Sequence, residues 1–354
     1  MTTPWYHPDR HSDRRPLLIR RASIIRAAHD YFLRQGFTEV ECGALQVTPG
    51  LETHLHGVRA ELYGPDGTPQ PLYLHTSPEF ACKKLLAAGE RLIYVLARVY
   101  RSRERGPLHA PEFTMLEWYR AEAPYETVMA DAVALARLAA QAAGTGRLSY
   151  RGVLADPGEE PERLSVAEAF GRHAGIDLMA TLDENGNGRR DALARQAAAN
   201  GVQVAADDNW SDLFSKILVA RVEPRLGIGR LTLLTDYPAA EAALARRCPG
   251  DRRLSERFEL YAAGVELANG FGELTDPVEQ RQRFEAEMAE KQRIHGERYP
   301  LDEELLAALR LMPPASGVAL GFDRLVMLAT GARRIEEVMW TPPPSSEQLV
   351  AKGE

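Results

Sequence analysis

The residue types that can do chemistry concentrate in residues 76–119. This segment opens with TSPE, continues through the apolar run LIYVLARVYR and ends with HAPEFTMLEWY. An apolar run that ends in an arginine, followed by a charged loop and a second, aromatic-rich run, predicts a β-hairpin. Arg101 then lies at the end of the first strand, and carboxylates flank the start of the second. Such a hairpin can bind a phosphate group and a cationic amine in one buried site, which is typical of an enzyme.

The same segment carries a cluster of basic residues, which alternate with apolar residues of strand character. Because of this alternation, we expect some of them to point inward or into a cleft rather than form a solvated face. They are Lys83, Lys84, Arg98, Arg101, Arg103 and Arg105.

The composition narrows the class of protein. The chain has 354 residues, of which 45% are hydrophobic, and this is enough for a sizeable core. Its net charge of −7 argues against a basic field for nucleic acid over the whole protein. No apolar stretch approaches the roughly 20 residues of a membrane span, and the first residues lack the apolar run of a secretory signal. Three widely spaced cysteines, Cys42, Cys82 and Cys248, predict free thiols in a reducing cytoplasm.

Helical and strand-like patterns alternate along the chain without regular βαβ spacing. This predicts an α+β domain around an antiparallel sheet flanked by helices. The predicted helices cover residues 17–35, 126–143, 166–175, 276–296 and 322–331, and the predicted strands cover 37–45, 230–238, two strands within 257–271, and 316–320. Residues 152–162 are predicted to form a loop. We divide the chain into an N-terminal extension (1–16), a catalytic domain (17–340) and a C-terminal tail (341–354).

Five segments resemble the catalytic domain of class II aminoacyl-tRNA synthetases of the lysyl type. GFTEVE (36–41) is similar to motif 1, VYR…HAPEFTMLEWY to motif 2, and GVALGFDRLVMLATG (317–331) to motif 3. TSPE and VELANGFGELTDP (265–277) are also of the lysyl kind. Five motifs in the right order are much more specific than one. The resemblance covers residues 15–340 and is strongest to the stand-alone proteins that attach a lysine to elongation factor P. It implies a class II catalytic domain and a homodimer formed through motif 1.

The resemblance implies that the protein uses ATP to activate a carboxylic acid. By their positions in motifs 2 and 3, Arg101 would hold the α-phosphate and Arg324 the γ-phosphate. A guanidinium suits this role because it is planar, always charged and able to bond two oxygens. His109 would contact the phosphate tail, and Phe113 would stack on adenine.

ATP phosphates also need a divalent cation, usually Mg²⁺ held by one or two carboxylates together with phosphate oxygens. Glu259 and Glu266 match the metal-binding carboxylates of the family, and Glu259 also belongs to the ATP site. Without the resemblance, this pair would be taken for two solvated glutamates on strands.

A lysine substrate requires anionic groups, because its ammonium is costly to desolvate without a partner. Glu117, Tyr119 and Glu273 match the residues around the side-chain ammonium in lysyl enzymes. Glu79 matches the residue near the α-amino group, and Asn269 matches the one near the carboxylate. The other predicted substrate contacts are Thr76, Ser77, Phe271 and Ala319.

Four positions depart from the family pattern. Arg103 stands where a glutamate usually faces adenine, so either Glu104 takes that role through a shifted loop or adenine is held differently. Ala110 replaces an asparagine of motif 2, and Gly43 replaces the proline that closes motif 1. Ala319 stands where lysyl-tRNA synthetases have glycine, as it does in the ligase subfamily. Its methyl group would reshape the pocket near the amino group and is compatible with β-lysine.

The residues that precede motif 1 bear on the acceptor of the activated amino acid. About twenty residues precede the motif 1 helix, too few for the anticodon-binding barrel of lysyl-tRNA synthetases. We therefore expect lysine or β-lysine to be transferred to the ε-amine of a lysine on elongation factor P, without tRNA binding. One alternative is an adenylate-forming ligase that acts on tRNA or a small molecule. The other is a non-catalytic synthetase-like protein, against which the retained Arg101, Arg324, Glu259 and Glu266 argue.

Two further patterns look like metal sites and are interpreted otherwise. Residues 183–194 imitate a calcium-binding loop, but Ala194 stands where a bidentate glutamate is needed, so we predict a turn. His54 and His56 have no cysteine partners nearby and are predicted to be ordinary loop residues.

Overall fold

Residues 3–344 are the part of the chain that this computed structural model describes, and within them the backbone forms nine α-helices and fourteen β-strands. The helices are α1 (Pro8–Arg34), α2 (Glu79–Ala87), α3 (Tyr125–Ala142), α4 (Val166–Ala174), α5 (Arg190–Ala199), α6 (Trp210–Ile217), α7 (Pro277–His295), α8 (Glu303–Ala308) and α9 (Phe322–Thr330). The strands are β1 (Thr38–Glu39), β2 (Leu45–Gln46), β3 (Val58–Tyr63), β4 (Pro69–Leu74), β5 (Leu92–Tyr100), β6 (Glu112–Ala121), β7 (Leu148–Tyr150), β8 (Val153–Asp156), β9 (Glu162–Ser165), β10 (Gly229–Arg230), β11 (Thr232–Pro238), β12 (Leu254–Ala262), β13 (Val265–Gly272) and β14 (Ala315–Gly321).

The central sheet has eight strands in the order β1-β5-β6-β14-β13-β12-β11-β9. The six strands from β5 to β11 are antiparallel, which confirms the predicted α+β class with an antiparallel sheet. The two edge strands, β1 and β9, pair in parallel. Each edge strand connects to its neighbour through a long segment that contains a helix, and such a crossover brings the chain back in the same direction.

The two faces of this sheet pack against different helices. Helices α1, α3 and α9 cover one face, where Trp118 is buried in the largest hydrophobic cluster. Helices α2, α7 and α8 lie over the other face, where Tyr119 is buried. Because side chains alternate along a strand, Glu117 shares the face of Tyr119. Helices α4, α5 and α6 form a third cluster beside β11.

The strands and helices that carry the resemblance are confirmed. Strands β5 and β6 form the predicted hairpin, and β12 and β13 form the second one, which turns at Ala263 and Gly264 with positive φ angles of 52° and 75°. Helix α4 starts at the predicted residue 166, directly after its N-cap Ser165, which forms a complete capping box with Glu168. Helix α7 extends over almost all of the predicted residues 276–296 and is capped by Asp276.

Three predicted boundaries differ from the structure. The strand predicted over residues 37–45 is wrong, because only Thr38–Glu39 pairs with β5 before the chain leaves the sheet. Helix α1 starts at Pro8, a residue suited to the first helical turn, so the boundary drawn at residue 17 falls inside this helix. The loop predicted over residues 152–162 contains strand β8. Most of the proposed C-terminal tail, residues 345–354, lies outside the described residues.

The expectations for the thiols and for the segment that imitates a calcium loop are confirmed. Cys42, Cys82 and Cys248 are free thiols, and the Sγ atoms of Cys42 and Cys82 lie 3.7 Å apart. The segment that imitates a calcium loop is a turn in which Asp183 accepts hydrogen bonds from the backbone N–H groups of Asn185 and Asn187. Among the described residues, no helix is both long and apolar enough to cross a membrane.

Candidate active site

Arg324, near the start of α9, contacts His109 in the loop between β5 and β6 and Glu266 on β13. Its Nη2 lies 2.8 Å from Nε2 of His109, and its Nη1 donates to the backbone oxygen of Glu266 at 3.1 Å and to Oε2 of Glu266 at 3.3 Å. A guanidinium has no acceptor, so Nε2 of His109 must accept this hydrogen bond and the imidazole is neutral. Burial and the charge of Arg324 both lower the pKa of His109, in agreement with that state. Residues of motifs 2 and 3 therefore meet at one point.

Arg101 lies at the end of β5, where its Nε donates to the backbone oxygen of Thr76 at 3.2 Å. Its guanidinium carbon is 5.2 Å from the centroid of the Phe113 ring, a cation–π distance. In the following loop, Arg103 adopts a positive φ of 63° and turns outward to pair with Glu297. Glu104 turns the other way, and its Oε1 lies 3.9 Å from Nη1 of Arg101. Of the two alternatives left open for adenine, this geometry favours the shifted loop.

Three carboxylates lie close together beside Arg324, those of Glu223, Glu259 and Glu266. Glu259 is buried and accepts hydrogen bonds at 2.6 Å from both Arg257 and Tyr261. Glu223, which the sequence did not suggest, lies 3.4 Å from the same Tyr261 hydroxyl. Burial, followed by the charges of Glu259 and Glu266, raises the pKa of Glu223 to about 7.

The donor set fits Mg²⁺ in character, because all the candidate ligands are oxygens in a region with excess negative charge. Within residues 3–344, no group of three or more His, Cys, Asp or Glu side chains is arranged to hold a metal by itself. Glu259 and Glu266 fit a cation that takes its other ligands from phosphates and water.

Two neighbouring rows of side chains cross the sheet on the face below α2 and α7. In one row, cross-strand pairing places Glu117, Ala319, Asn269 and Glu259 side by side on β6, β14, β13 and β12. In the other row, Tyr119, Gly317, Phe271 and Arg257 are aligned in the same way. Directly paired residues lie on the same face of a sheet. The rows therefore bring together most of the residues predicted to bind lysine, and they place the methyl group of Ala319 between Glu117 and Asn269.

Glu117 is the most deeply buried carboxylate of these rows. It is fully buried, and it accepts hydrogen bonds from Oγ of Ser77 at 2.5 Å and from the Tyr119 hydroxyl at 2.9 Å. Burial, with a smaller contribution from the charge of Glu79, raises the pKa of Glu117 to about 8, and the two hydrogen bonds oppose this shift. The carboxyl group is thus held in place with a proton that a cationic ligand would displace.

Glu79 and the side chains of Glu117, Tyr119 and Glu273 form a buried pocket. Lys83 of α2 lies between two of these carboxylates. Its Nζ lies 2.6 Å from Oε1 of Glu79 and 2.7 Å from Oε2 of Glu273, and its side chain is 1% exposed. Burial alone would lower the pKa of this ammonium, but the carboxylates of Glu273 and Glu79 raise it above its usual value. A Cβ on Gly317 would lie 2.3 Å from the Tyr119 ring and 2.6 Å from Oε1 of Glu273. Only glycine therefore lets these two side chains come so close together.

A cavity of about 440 Å³ adjoins this pocket, between the sheet and the segment that contains α6. Asn269 and Phe271 line its floor, and Glu52, Glu241 and Glu287 line its walls. Oδ1 of Asn269 is buried without a hydrogen-bond partner among the described residues, as expected for a side chain that faces a ligand. The cavity has the size of an ordinary small-molecule site.

Comparison with known proteins identifies the family of the chain. The family described as "tRNA synthetases class II (D, K and N)" matches residues 3–343. The chain belongs to the class II tRNA synthetases. A protein of Edwardsiella ictaluri named elongation factor P–(R)-β-lysine ligase is 39% identical over 326 residues, which cover 91% of this chain and 93% of that protein. A protein of Vibrio cholerae with the same name is 36% identical over 331 residues, or 92% and 95% of the two chains.

Membership of the class II synthetase family confirms the resemblance on which the site residues were assigned. The roles of the individual residues stay predictions, but the structure brings the assigned residues together around one face of the sheet. Thr76 differs from the others, because its hydroxyl donates to the backbone oxygen of Pro49 at 2.8 Å and so holds the loop. The sequence did not reveal Glu223 or the pairing of Lys83. The spacing of Glu79 and Lys83, four residues apart, was a usable signal for that ion pair on a helix.

Proposed function

We propose that this protein is an ATP-dependent ligase that activates lysine or β-lysine as an aminoacyl-adenylate and transfers it to the ε-amine of a lysine on elongation factor P. The observation that carries the proposal is the row Glu117–Ala319–Asn269–Glu259, with an amine-binding carboxylate at one end and a phosphate-side carboxylate at the other. Relatives that match over nearly their whole length are named for this activity.

In the activation step, a carboxylate oxygen of the amino acid attacks the α-phosphorus of ATP, and the bond to pyrophosphate breaks. Arg101 is held by Thr76 through Nε alone, which leaves its terminal N–H groups for the α-phosphate. Arg324 is placed by His109 and Glu266 to meet the γ-phosphate. Fixed positive charges of this kind stabilise the negative charge of the transition state, and each contributes roughly 3–4 kcal/mol.

Mg²⁺, held by Glu259 and Glu266 together with phosphate oxygens, would neutralise part of the charge on the triphosphate. Tyr261 and Arg257 donate hydrogen bonds to Glu259 and fix its orientation in the absence of any ligand. Such support from neighbouring groups is the usual way in which a protein sets the geometry of a metal ligand.

The amine end of the substrate is recognised by charge. Glu117 and Glu273 face the position of the side-chain ammonium, next to the Tyr119 ring. Glu79 faces the second amino group. Lys83 reduces the repulsion between Glu79 and Glu273, which lets the two carboxylates lie close together around an amino acid with two ammonium groups.

The experiment that tests the proposal has two stages. Pyrophosphate exchange that depends on lysine or β-lysine measures activation, and its absence would exclude both enzymatic functions and favour a non-catalytic protein. Labelled amino acid, ATP, elongation factor P and total tRNA are then incubated together with the protein. We expect the label on elongation factor P, and label on tRNA alone would overturn the proposed acceptor.

Three expectations accompany the proposed function. The similarity of residues 36–41 to motif 1 supports a homodimer, and three free thiols support a cytoplasmic location. The net charge of −7 supports the absence of tRNA binding.

A further inference from the structure

Glu52 is a half-buried residue that none of the family motifs includes, and the Oε2 atom of its carboxylate is buried. It lies in the loop between β2 and β3, and its Oε2 has no hydrogen-bond partner among the described residues. A Cβ on Gly50 would lie 2.8 Å from this Oε2 and 2.5 Å from Oγ1 of Thr76. The carboxylate of Glu52 therefore packs beside the loop whose backbone oxygen, on Thr76, receives Arg101. A buried oxygen without a hydrogen-bond partner is unusual, and a catalytic role or an ordered water or ion would explain it.

Glu52 lines both a small recess and the larger cavity beside it. It lines a small recess together with Thr76, Ser77 and Glu79, where the amino group of the substrate is expected. It also lines the cavity of about 440 Å³, whose floor includes Asn269. The carboxylate thus lies where an incoming group would pass from the cavity to the carbonyl carbon, between the amine and the α-phosphate.

The wall of the cavity is suited to a positively charged ligand. Glu241 and Glu287 line it together with Glu52, and Oε1 of Glu241 is also buried without a partner within residues 3–344. Arg257 also lines the cavity, but its guanidinium is paired with Glu259 at 2.6 Å, so a protonated primary amine in the cavity meets an excess of negative charge. A negative wall of this kind attracts cations and excludes anionic groups.

We infer that Glu52 is the base that deprotonates the acceptor amine in the transfer step. This inference rests on the proposed function. The protonated ε-amine of the acceptor gives one proton to the Glu52 carboxylate, which becomes a carboxylic acid. The neutral amine then attacks the carbonyl carbon of the aminoacyl-adenylate. The new C–N bond forms, the C–O bond to phosphate breaks, and AMP leaves with that electron pair while the nitrogen loses its second proton to water.

The charges around Glu52 agree with this role. Burial raises the pKa of its carboxyl group, Glu79 on α2 raises it further, and Arg101 at the end of β5 opposes the shift. Helix α7 contributes Glu287, which raises the pKa, and Lys291, whose Nζ lies 3.3 Å from the backbone oxygen of Glu52. A carboxylate with a raised pKa is a better proton acceptor near neutral pH than an exposed one.

The test compares Glu52→Gln with Glu61→Gln, the same change at an exposed position of β3. Each variant is assayed for pyrophosphate exchange and for single-turnover transfer from preformed adenylate to elongation factor P. For Glu52→Gln we expect exchange close to wild type and transfer slower by about 10²- to 10⁴-fold. Hydroxylamine is largely unprotonated at neutral pH and needs no base. We therefore expect it to react with the adenylate of Glu52→Gln as fast as with that of the wild type.

Three outcomes would overturn the inference about Glu52, and a fourth would overturn the proposed function. Normal transfer by Glu52→Gln would overturn the inference, and so would an equal loss of exchange and transfer, which would place Glu52 in substrate binding or in folding. A loss of hydroxamate formation would likewise overturn it, because that reaction needs no proton acceptor. If the wild type itself shows no exchange, the proposed function fails, and the inference fails with it.

Discussion

Replacing Lys83 by methionine tests whether the ion pairs above the pocket hold the protein together as well as the substrate. Methionine keeps most of the volume and removes the charge. The ammonium is 1% exposed and lies 2.6 and 2.7 Å from the carboxylates of Glu79 and Glu273. Removing one partner of such a buried pair leaves unpaired charges in the interior. We expect the free energy of unfolding to fall by about 3–5 kcal/mol.

The expected loss can be measured by thermal unfolding. Unfolding entropy scales with chain length, so a loss of this size should lower Tm by roughly 4–7 °C in a protein of 354 residues. Lys84→Met is the matched control on the same helix, because Lys84 is 28% exposed and pairs with Asp302. This control should lose less stability than Lys83→Met, because the Lys84 ammonium is partly solvated and the carboxylate of Asp302 keeps its hydrogen bond from the backbone N–H of Leu305.

A double variant makes the test specific to the ion pair. Lys83→Met combined with Glu273→Gln removes one of the unpaired charges, so it should be more stable than the sum of the two single changes by about 1 kcal/mol or more. The reasoning is refuted if Lys83→Met is as stable as Lys84→Met, or if the two changes at Lys83 and Glu273 are simply additive. We also expect Lys83→Met to raise KM for lysine in pyrophosphate exchange, because the charge of Lys83 lowers the pKa of Glu273 and its loss would favour the protonated form of that carboxyl group.

Three further predictions concern the site itself. Because the pKa of Glu117 is raised to about 8 and the ammonium binds its ionised form, KM for lysine should fall about tenfold per unit as pH rises toward about 8 and then level off. Glu117→Gln should abolish this pH dependence, and a dependence that survives would exclude Glu117 as its source. Arg324→Ala should lower kcat/KM for exchange by about 10²- to 10³-fold, whereas Arg103→Ala, on an outward-facing side chain, should change it little. Ala319→Gly should shift the ratio of kcat/KM for β-lysine over lysine by about tenfold or more toward lysine, and an unchanged ratio would remove the methyl group from the account of specificity.

Much of the site could be predicted because its functional residues lie in short sequence patterns. The hairpins β5–β6 and β12–β13 each carry an apolar alternation and a turn, so their existence followed from the sequence. The end of strand β1 could not be predicted in the same way. Residues 37–45 alternate like a strand, but β5 offers partners only to Thr38–Glu39. Pairing with a neighbour, rather than local pattern, decides where a strand ends.

The residues that the sequence did not reveal are charged side chains whose roles depend on partners far away along the chain. Lys83 was recognised as part of a basic cluster, yet its burial depends on Glu273, which directly follows β13 and pairs with it. Glu223 and Glu52 lie in irregular segments that no motif includes, and they join the site only because the fold brings those segments to the sheet. Such residues are found from the charges that they face, because burial without a partner is costly.

The register of the sheet explains how one site can hold two chemically different ends of a substrate. From Glu117 to Glu259 the row crosses three strand spacings, which is about 14 Å. Backbone hydrogen bonds fix this length, so the distance between the amine end and the phosphate end does not depend on the loops. The loops and helices then add the charges that change between steps: Arg101 for activation, and Glu52 for transfer. A rigid sheet with charged side chains held beside it is therefore sufficient for both half-reactions, and the acceptor needs only to reach the cavity beside Asn269.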